Sequence, residues 1–444
     1  MPRERQPSPV GRCPKQEGEI RARWAWVEPA VWTDRMLEAL EYGVKGGKWY
    51  SLMDKVCDLA NLRAAWENVR RNRGAAGVDR QSVEKFGKRA EHYLQELQHA
   101  LQEGRYHPQP VLRTWIPKPG TTALRPLGIP AVKDRVVQTA LRNVIEPIFE
   151  AQFLDVSYGF RPGRSAKDAL REVWRLLAAG YVWVVDADIQ SYFDTIDWTL
   201  LMEDVKKSVS DGRVLGLLES YLTQDVAEGL KVWTPTQGTP QGAVISPLLA
   251  NLYLHTVDRA LSQAGYRVMR YADDLVILCR SEGEARQALA LLQEEIARRK
   301  LTLHPEKTRL VNARKPGGFD FLGYHFERRY RWPRTKSVQA LKDKIRGKTK
   351  RTNGQSMACI IANLNRILKG WFAYFKHSHW TTFKPLDSWI RMRLRSILRK
   401  RTKRQGRGRG RDHTRWPNAF FAARGLFTLV TAHEAVRQPR CGNH

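Results

Sequence analysis

Tyr271-Ala272-Asp273-Asp274 lies between Tyr266-Arg-Val-Met-Arg270 and Leu275-Val-Ile-Leu-Cys279. Both flanks are rich in β-branched and apolar residues, which predicts strand, tight turn, strand. Two adjacent carboxylates at the tip of a buried hairpin are costly to hold without counter-charge. Taken alone, Asp-Asp is ordinary turn chemistry. A second stretch shifts the balance. Tyr181-Val-Trp-Val-Val-Asp-Ala-Asp-Ile-Gln-Ser-Tyr-Phe193 reads as an apolar strand ending in Asp188, followed by an aromatic pair. One strand ending in a carboxylate and a hairpin tip carrying two can place three carboxylates around a pair of divalent ions. Hard oxygen ligands suit Mg²⁺, and two ions about 3.5–4 Å apart serve in-line phosphoryl transfer. Asp186 shares strand parity with Asp188, and pattern alone does not choose between them.

Composition points to a polyanionic partner. The chain has 444 residues, with 76 Lys+Arg against 45 Asp+Glu, a formal charge of +31 and a pI near 10.2. A field of that sign suits long nucleic acid. No apolar run reaches the roughly 20 residues of a membrane helix, and the segment Met1 to Pro9 lacks the apolar core of a signal peptide. Cys13, Cys57, Cys279, Cys359 and Cys441 are far apart in sequence, which excludes a local C-x-x-C metal site and suggests a reducing compartment.

In chain order, residues 1–30 read as largely disordered. Met36, Leu37 and Leu40 have helical spacing up to Gly46-Gly47, and a second helix spans about Leu62 to Arg71. Val111–Ile116 and Arg125–Ile129 read as strands around a Pro119-Gly120 turn, with prolines keeping them at a sheet edge. Lys118 and Arg125 then lie near the hairpin end, where two cations suit a triphosphate. Gly159-Phe-Arg-Pro-Gly-Arg-Ser165 is a basic turn opening a helix capped by Ser165. Asp194 and Asp197 read as charges at a helix start. Pro240-Gln241-Gly242 turns into a helix over 247–258. Helix 283–300 buries Ala285, Leu289, Leu292 and Ile296. Leu303–Thr308 and Phe319–Phe326 return to strand patterning. From Val338 the chain is helical and basic, with an apolar face of Ile361, Leu364, Ile367 and Leu368, and then Trp371 to Phe375 as mostly core rings. Trp389 to Arg401 reads as a further helix carrying Arg391, Arg393, Arg395 and Arg399, and Arg404 to Arg411 as a flexible basic linker.

The ordered blocks Gly74–Asp79, Trp115–Gly120, Arg125–Pro130, Ser157–Ser165, Asp188–Phe193, Gly238–Gly242, Ser246–Leu249, Tyr271–Asp274, Leu303–Thr308 and Phe321–Tyr324 together resemble the bacterial group II intron reverse transcriptases, or maturases. The resemblance implies an α+β right-hand polymerase: fingers over 51–180 and a palm with an antiparallel sheet over 181–335. An α-helical thumb/maturase domain over 336–404 follows. Residues 1–50 would be an N-terminal extension, partly disordered. Residues 405–444 would be a basic linker and a short DNA-binding segment, as in the short type without a C-terminal nuclease domain.

The resemblance also selects Asp188 over Asp186, because the family's acid directly precedes Ile-x-x-aromatic-aromatic. It implies an RNA-directed DNA polymerase whose two Mg²⁺ are held by Asp188 and Asp273, with the Ile189 carbonyl and Asp274 assisting. Lys118, Arg125, Phe193 and Gln241 would bind the incoming nucleotide, with Phe193 beneath its sugar. Arg161 and Arg164 would touch the template, while Lys307 and Gly323 lie in the blocks near the primer end. Lys369, Arg391, Arg395 and Arg399 would meet RNA. The expected partners are group II intron RNA, a DNA primer or target and dNTPs, without a membrane, in the cytoplasm at the nucleoid. A non-catalytic splicing factor and a reverse transcriptase of defence or diversification are the alternatives.

Overall fold

The computed structural model describes residues 17–44, 46–117, 124–404 and 410–437. Strands run, in chain order, β1 (Val111–Pro117), β2 (Leu124–Ile129), β3 (Trp183–Asp188), β4 (Val226–Glu228), β5 (Lys231–Trp233), β6 (Arg267–Tyr271), β7 (Asp274–Cys279), β8 (Arg309–Asn312), β9 (Phe319–Phe321), β10 (Tyr324–Glu327) and β11 (Tyr330–Pro333). They form three sheets, ordered β2-β1-β4-β5, β6-β7-β3-β8 and β11-β10-β9. The second is antiparallel throughout. It is the expected palm sheet, because Val184, Val185, Val276, Ile277 and Leu278 are fully buried while polar residues collect at the strand ends.

One core runs from Ile20 to Leu301 and takes in the Val132–Glu150 and Ser246–Gln263 helices. The expected fingers and palm therefore share their packing. A separate core is built by the Thr335–Lys348, Met357–Phe375 and Phe383–Arg401 helices. Phe375 leaves that core to meet Tyr324 on β10, ring centroids 5.0 Å apart, and ties the helical domain to the third sheet.

Three expectations need correction. Residues 17–30 are not disordered: Glu17–Arg23 is a helix, and Ile20 and Trp24 are buried in the main core. Polar composition hid these two anchors. Leu303–Thr308 is not a strand. Leu303 makes a single bridge to Ile189, and the chain then turns, with Thr308 N donating to His304 O at 2.9 Å. Pro305 withholds the donor a ladder would need. The C-terminal segment is not separate, because Trp416, Phe421 and Leu429 are buried in the helical core. The Pro119-Gly120 turn and residues 405–409 of the basic linker lie outside the described residues. Among the described residues no helix is long and apolar enough to cross a membrane.

Candidate active site

The pairing of β3 with β7 sets Asp188 directly opposite Asp274. Tyr271 pairs with Asp274 to close the β6–β7 hairpin, leaving Ala272 and Asp273 as a two-residue turn. Ala272 has φ +58°, a left-handed conformation at a turn position where glycine is usual. The surroundings hold it there. Arg270 Nη1 donates to the Ala272 carbonyl at 3.0 Å and to Asn251 Oδ1 at 2.9 Å. Its Nε and Nη2 fork onto the Asp258 carboxylate at 2.5–3.0 Å. Asn251 Nδ2 in turn donates to the Gly159 carbonyl at 2.7 Å. A Cβ on Gly159 would fall 2.4 Å from Ala272 N, so only glycine lets that loop approach the turn. Arg270, Asp258, Asn251 and Gly159 are the part of the site that sequence reading missed. The available signal was an arginine inside the apolar run Val268-Met269-Arg270, since a buried cation requires a buried acid.

The carboxylates affect one another. Burial, then the negative charges of Asp273 and Asp188, pushes Asp274 up to about 6. Burial and the Asp188 charge also raise Asp273. Lys307 Nζ lies 2.5 Å from Asp188 Oδ2 and balances its charge. The Leu303–Thr308 turn makes this possible, since His304 N donates to the Asp188 carbonyl at 2.8 Å. Asp186 is instead paired with Arg309 at 3.1 Å. Burial raises Asp186 to about 6 despite that partner.

The aromatic pair divides its roles. Tyr192 is buried and its hydroxyl donates to the Ala250 carbonyl at 2.5 Å. Phe193 is only half-buried, edge-on to Tyr192 at 5.5 Å. Thr239 N donates to Phe193 O at 2.7 Å, which fastens the 238–241 loop beside it. Gln241 accepts from Gly128 N at 2.6 Å and, with Arg113 and Asp194, lines a cavity of about 360 Å³. Asp194 is raised by burial despite Arg113, while Asp197 caps its helix through Leu200 N and pairs with Lys300 at 2.7 Å. Arg125 is exposed on β2 opposite Ile116. Lys118 lies outside the described residues.

Several expected nucleic-acid contacts are engaged elsewhere. Arg161 is buried, with its guanidinium on Glu150 and on the carbonyls of Phe153, Leu154 and Ser157. It braces the loop before its helix. Arg164 pairs with Asp155. Arg395 is buried and donates to Trp416 O at 2.9 Å and Asn418 Oδ1 at 2.8 Å, and Arg399 pairs with Asp412 at 2.7 Å. Both arginines anchor the C-terminal segment. Arg391 is half-buried beside Asp387, facing the Leu429–Arg437 helix across a cavity. Lys307 sits on Asp188, as above. Lys369 is exposed. Gly323, φ +82°, ends the β9–β10 turn, and its carbonyl accepts from Arg334 N at 2.9 Å.

Residues 116–326 match the reverse transcriptase (RNA-dependent DNA polymerase) family, and residues 338–416 match the group II intron, maturase-specific domain. Protein YkfC of Escherichia coli K12 is 35% identical over 278 residues, covering 53% of this chain and 71% of YkfC. The chain belongs to the group II intron reverse transcriptases. Group II intron-encoded protein LtrA of Lactococcus lactis subsp. cremoris is 37% identical over 201 residues, 45% of this chain. The match spans 33% of the length of LtrA. A chain of a partial Cas6-RT-Cas1--Cas2 complex is similar at 25% identity and a TM-score of 0.37, covering 56% of this chain and 43% of that one. Reverse transcriptases as a family use divalent metal ions. Among the described residues no three of His, Cys, Asp and Glu gather closely enough to hold an ion. The donor chemistry still fits one: hard carboxylate oxygens, mutually repelling, with an ammonium on Asp188.

Proposed function

We propose that this group II intron reverse transcriptase extends a DNA primer on intron RNA with deoxynucleoside triphosphates, and that it binds the same RNA to assist splicing and mobility. The observation that carries the reading is the register that sets Asp188 opposite Asp274, with Asp273 next to it in the turn that closes the hairpin. Asp188 and Asp273 would hold two Mg²⁺, with the Ile189 carbonyl and Asp274 assisting. Ions held there would supply Lewis acidity at the primer 3′-hydroxyl and charge balance at the leaving pyrophosphate.

The chain's own residues do the rest. For Asp188 to ligate through Oδ2, Lys307 has to leave that oxygen. The Arg270–Asp258 pair would hold the Ala272-Asp273 turn in one geometry, so that the turn itself need not reorganise when substrate arrives. Phe193, accessible where Tyr192 is not, would lie under the sugar and exclude a 2′-hydroxyl. Gln241, Arg125 and Lys118 would orient the triphosphate, the arginine by a bidentate fork.

The test is incorporation of labelled dTTP on poly(rA)/oligo(dT) with Mg²⁺. Template-dependent extension that EDTA abolishes is expected. RNA binding without any incorporation would leave a binding protein on a polymerase fold.

A further inference from the structure

The Thr335–Lys348 helix and the residues that follow it are strongly one-signed. Residues 335–351 carry Lys336, Lys342, Lys344, Arg346, Lys348, Lys350 and Arg351 against the single acid Asp343. This charge faces a second helix. Between its C-terminal end and the middle of the Phe383–Arg401 helix lies a cleft of about 410 Å³, lined by Arg346, Thr349, Arg351, Trp389, Arg393 and Ser396.

Cations crowd one indole there. Lys342 Nζ lies 5.9 Å from the Trp389 ring centroid, and the guanidinium carbons of Arg346 and Arg393 lie at 5.8 and 5.4 Å. Arg393 is fixed rather than free: Nε donates to Thr349 Oγ1 at 2.6 Å and Nη2 to Thr349 O at 3.0 Å. Thr349 is buried, so this fork is part of the cleft floor. Asp343 pairs with Arg346 at 2.5 Å from the exposed side. Among the described residues neither Arg351 nor Arg393 has an acidic partner, and burial, then the charges of Arg346 and Arg351, pushes the Arg393 guanidinium down. Like charges held together around a fixed guanidinium are costly unless an anion completes them.

We propose that this cleft is an RNA-backbone site in which Arg346, Arg351 and Arg393 hold phosphates and Trp389 forms the wall. The inference rests on the reading that the chain binds RNA, and it assigns that binding to a place. Arginine forks suit phosphate oxygens bidentately. The expected sites on Arg395 and Arg399 are filled by the protein itself, whereas Arg346 and Arg351 line the cleft and are exposed. The cleft's lining comes from the helical domain alone, with nothing from the palm or fingers strands. On this proposal the cleft takes RNA other than the primer–template at the carboxylates.

The test uses the full chain with Arg346→Gln/Arg351→Gln, both exposed and one helical, where Gln is nearly as good a helix former as Arg. Binding of a labelled RNA stem–loop with a single-stranded tail is measured across a salt series. Lys384→Gln/Lys400→Gln, also exposed, removes the same charge elsewhere on the Phe383–Arg401 helix. The arginine pair is expected to weaken binding about tenfold in moderate salt and to flatten the log–log salt slope by about one to two units, since each lost phosphate contact removes somewhat under one unit. The lysine pair should change far less, and extension of a short primer–template should keep its wild-type rate. Arg393→Lys keeps the charge but loses both hydrogen bonds to buried Thr349, so it should lower the melting temperature somewhat and, in the folded protein, weaken binding several-fold. Salt lines that superimpose on wild type, or equal effects from the two double variants, would overturn the proposal. A parallel loss of primer extension would overturn it too, by giving the cleft to the primer–template. If wild-type protein itself fails to bind the RNA, the broader reading of RNA binding fails with it.

Discussion

Arg270 and Asp258 form a buried ion pair, 2.5 Å at its closest, with both side chains 1% exposed. The same guanidinium reaches the carbonyl of Ala272, next to Asp273. A fully desolvated pair of this kind adds little net stability, but removing one partner costs about 3–5 kcal/mol. Its consequence is geometric: the left-handed turn that presents Asp273 is hung from it.

Asp258→Asn should therefore lower the unfolding midpoint. Arg270→Lys keeps the charge but cannot bond Asp258, Asn251 and Ala272 together. In the folded Arg270→Lys protein kcat for extension should drop by about 10–100-fold, while the KM for dNTP changes little. Single-nucleotide extension kinetics and a denaturant titration check this. A loss of stability with unchanged kcat would make the pair purely structural.

Phe193→Ala should raise ribonucleotide use. The ring is half-buried and its partner Tyr192 is fully enclosed, so Phe193 is the aromatic that can meet a sugar. The ratio of kcat/KM for dNTP over rNTP should fall by about tenfold or more, a change of roughly 1.4 kcal/mol in discrimination. An unchanged ratio would leave Phe193 as packing alone.

Arg395→Gln should act on stability. It strips the buried donors that hold Trp416 O and Asn418, and a loss of about 2–4 kcal/mol is expected. Denaturation of the full chain measures it. The salt slope of RNA binding should stay at the wild-type value. A shallower slope with full stability would restore Arg395 to the RNA interface.

Legibility in the sequence followed physical simplicity. The β6–β7 hairpin and β3 were readable because alternating and continuous apolar runs end in carboxylates, and their register follows from which faces are buried. The helix spacing of Leu364 and Leu368 announced the second core. What the sequence did not reveal was the internal partners of the cations. Arg161 and Arg395 look like solvent-facing charge in sequence, yet both are buried on loop carbonyls, and exposed Lys307 pairs with Asp188, far from it along the chain. A one-dimensional charge pattern carries no information on such pairings. Asp186 and Asp188 were inseparable by parity; in the fold Asp186 pairs with Arg309, while Asp188 lies opposite Asp274 and pairs with Lys307.

The carboxylate trio is tested most directly by single-turnover primer extension on an RNA template in Mg²⁺, with Asp188→Ala and Asp273→Ala beside wild type. RNA affinity is measured on the same preparations. Extension should fall by at least about a thousandfold in either variant, a loss of over 4 kcal/mol in transition-state stabilisation, while RNA affinity stays within about twofold. Extension at the wild-type rate in either variant would contradict the assignment of these carboxylates as the catalytic centre.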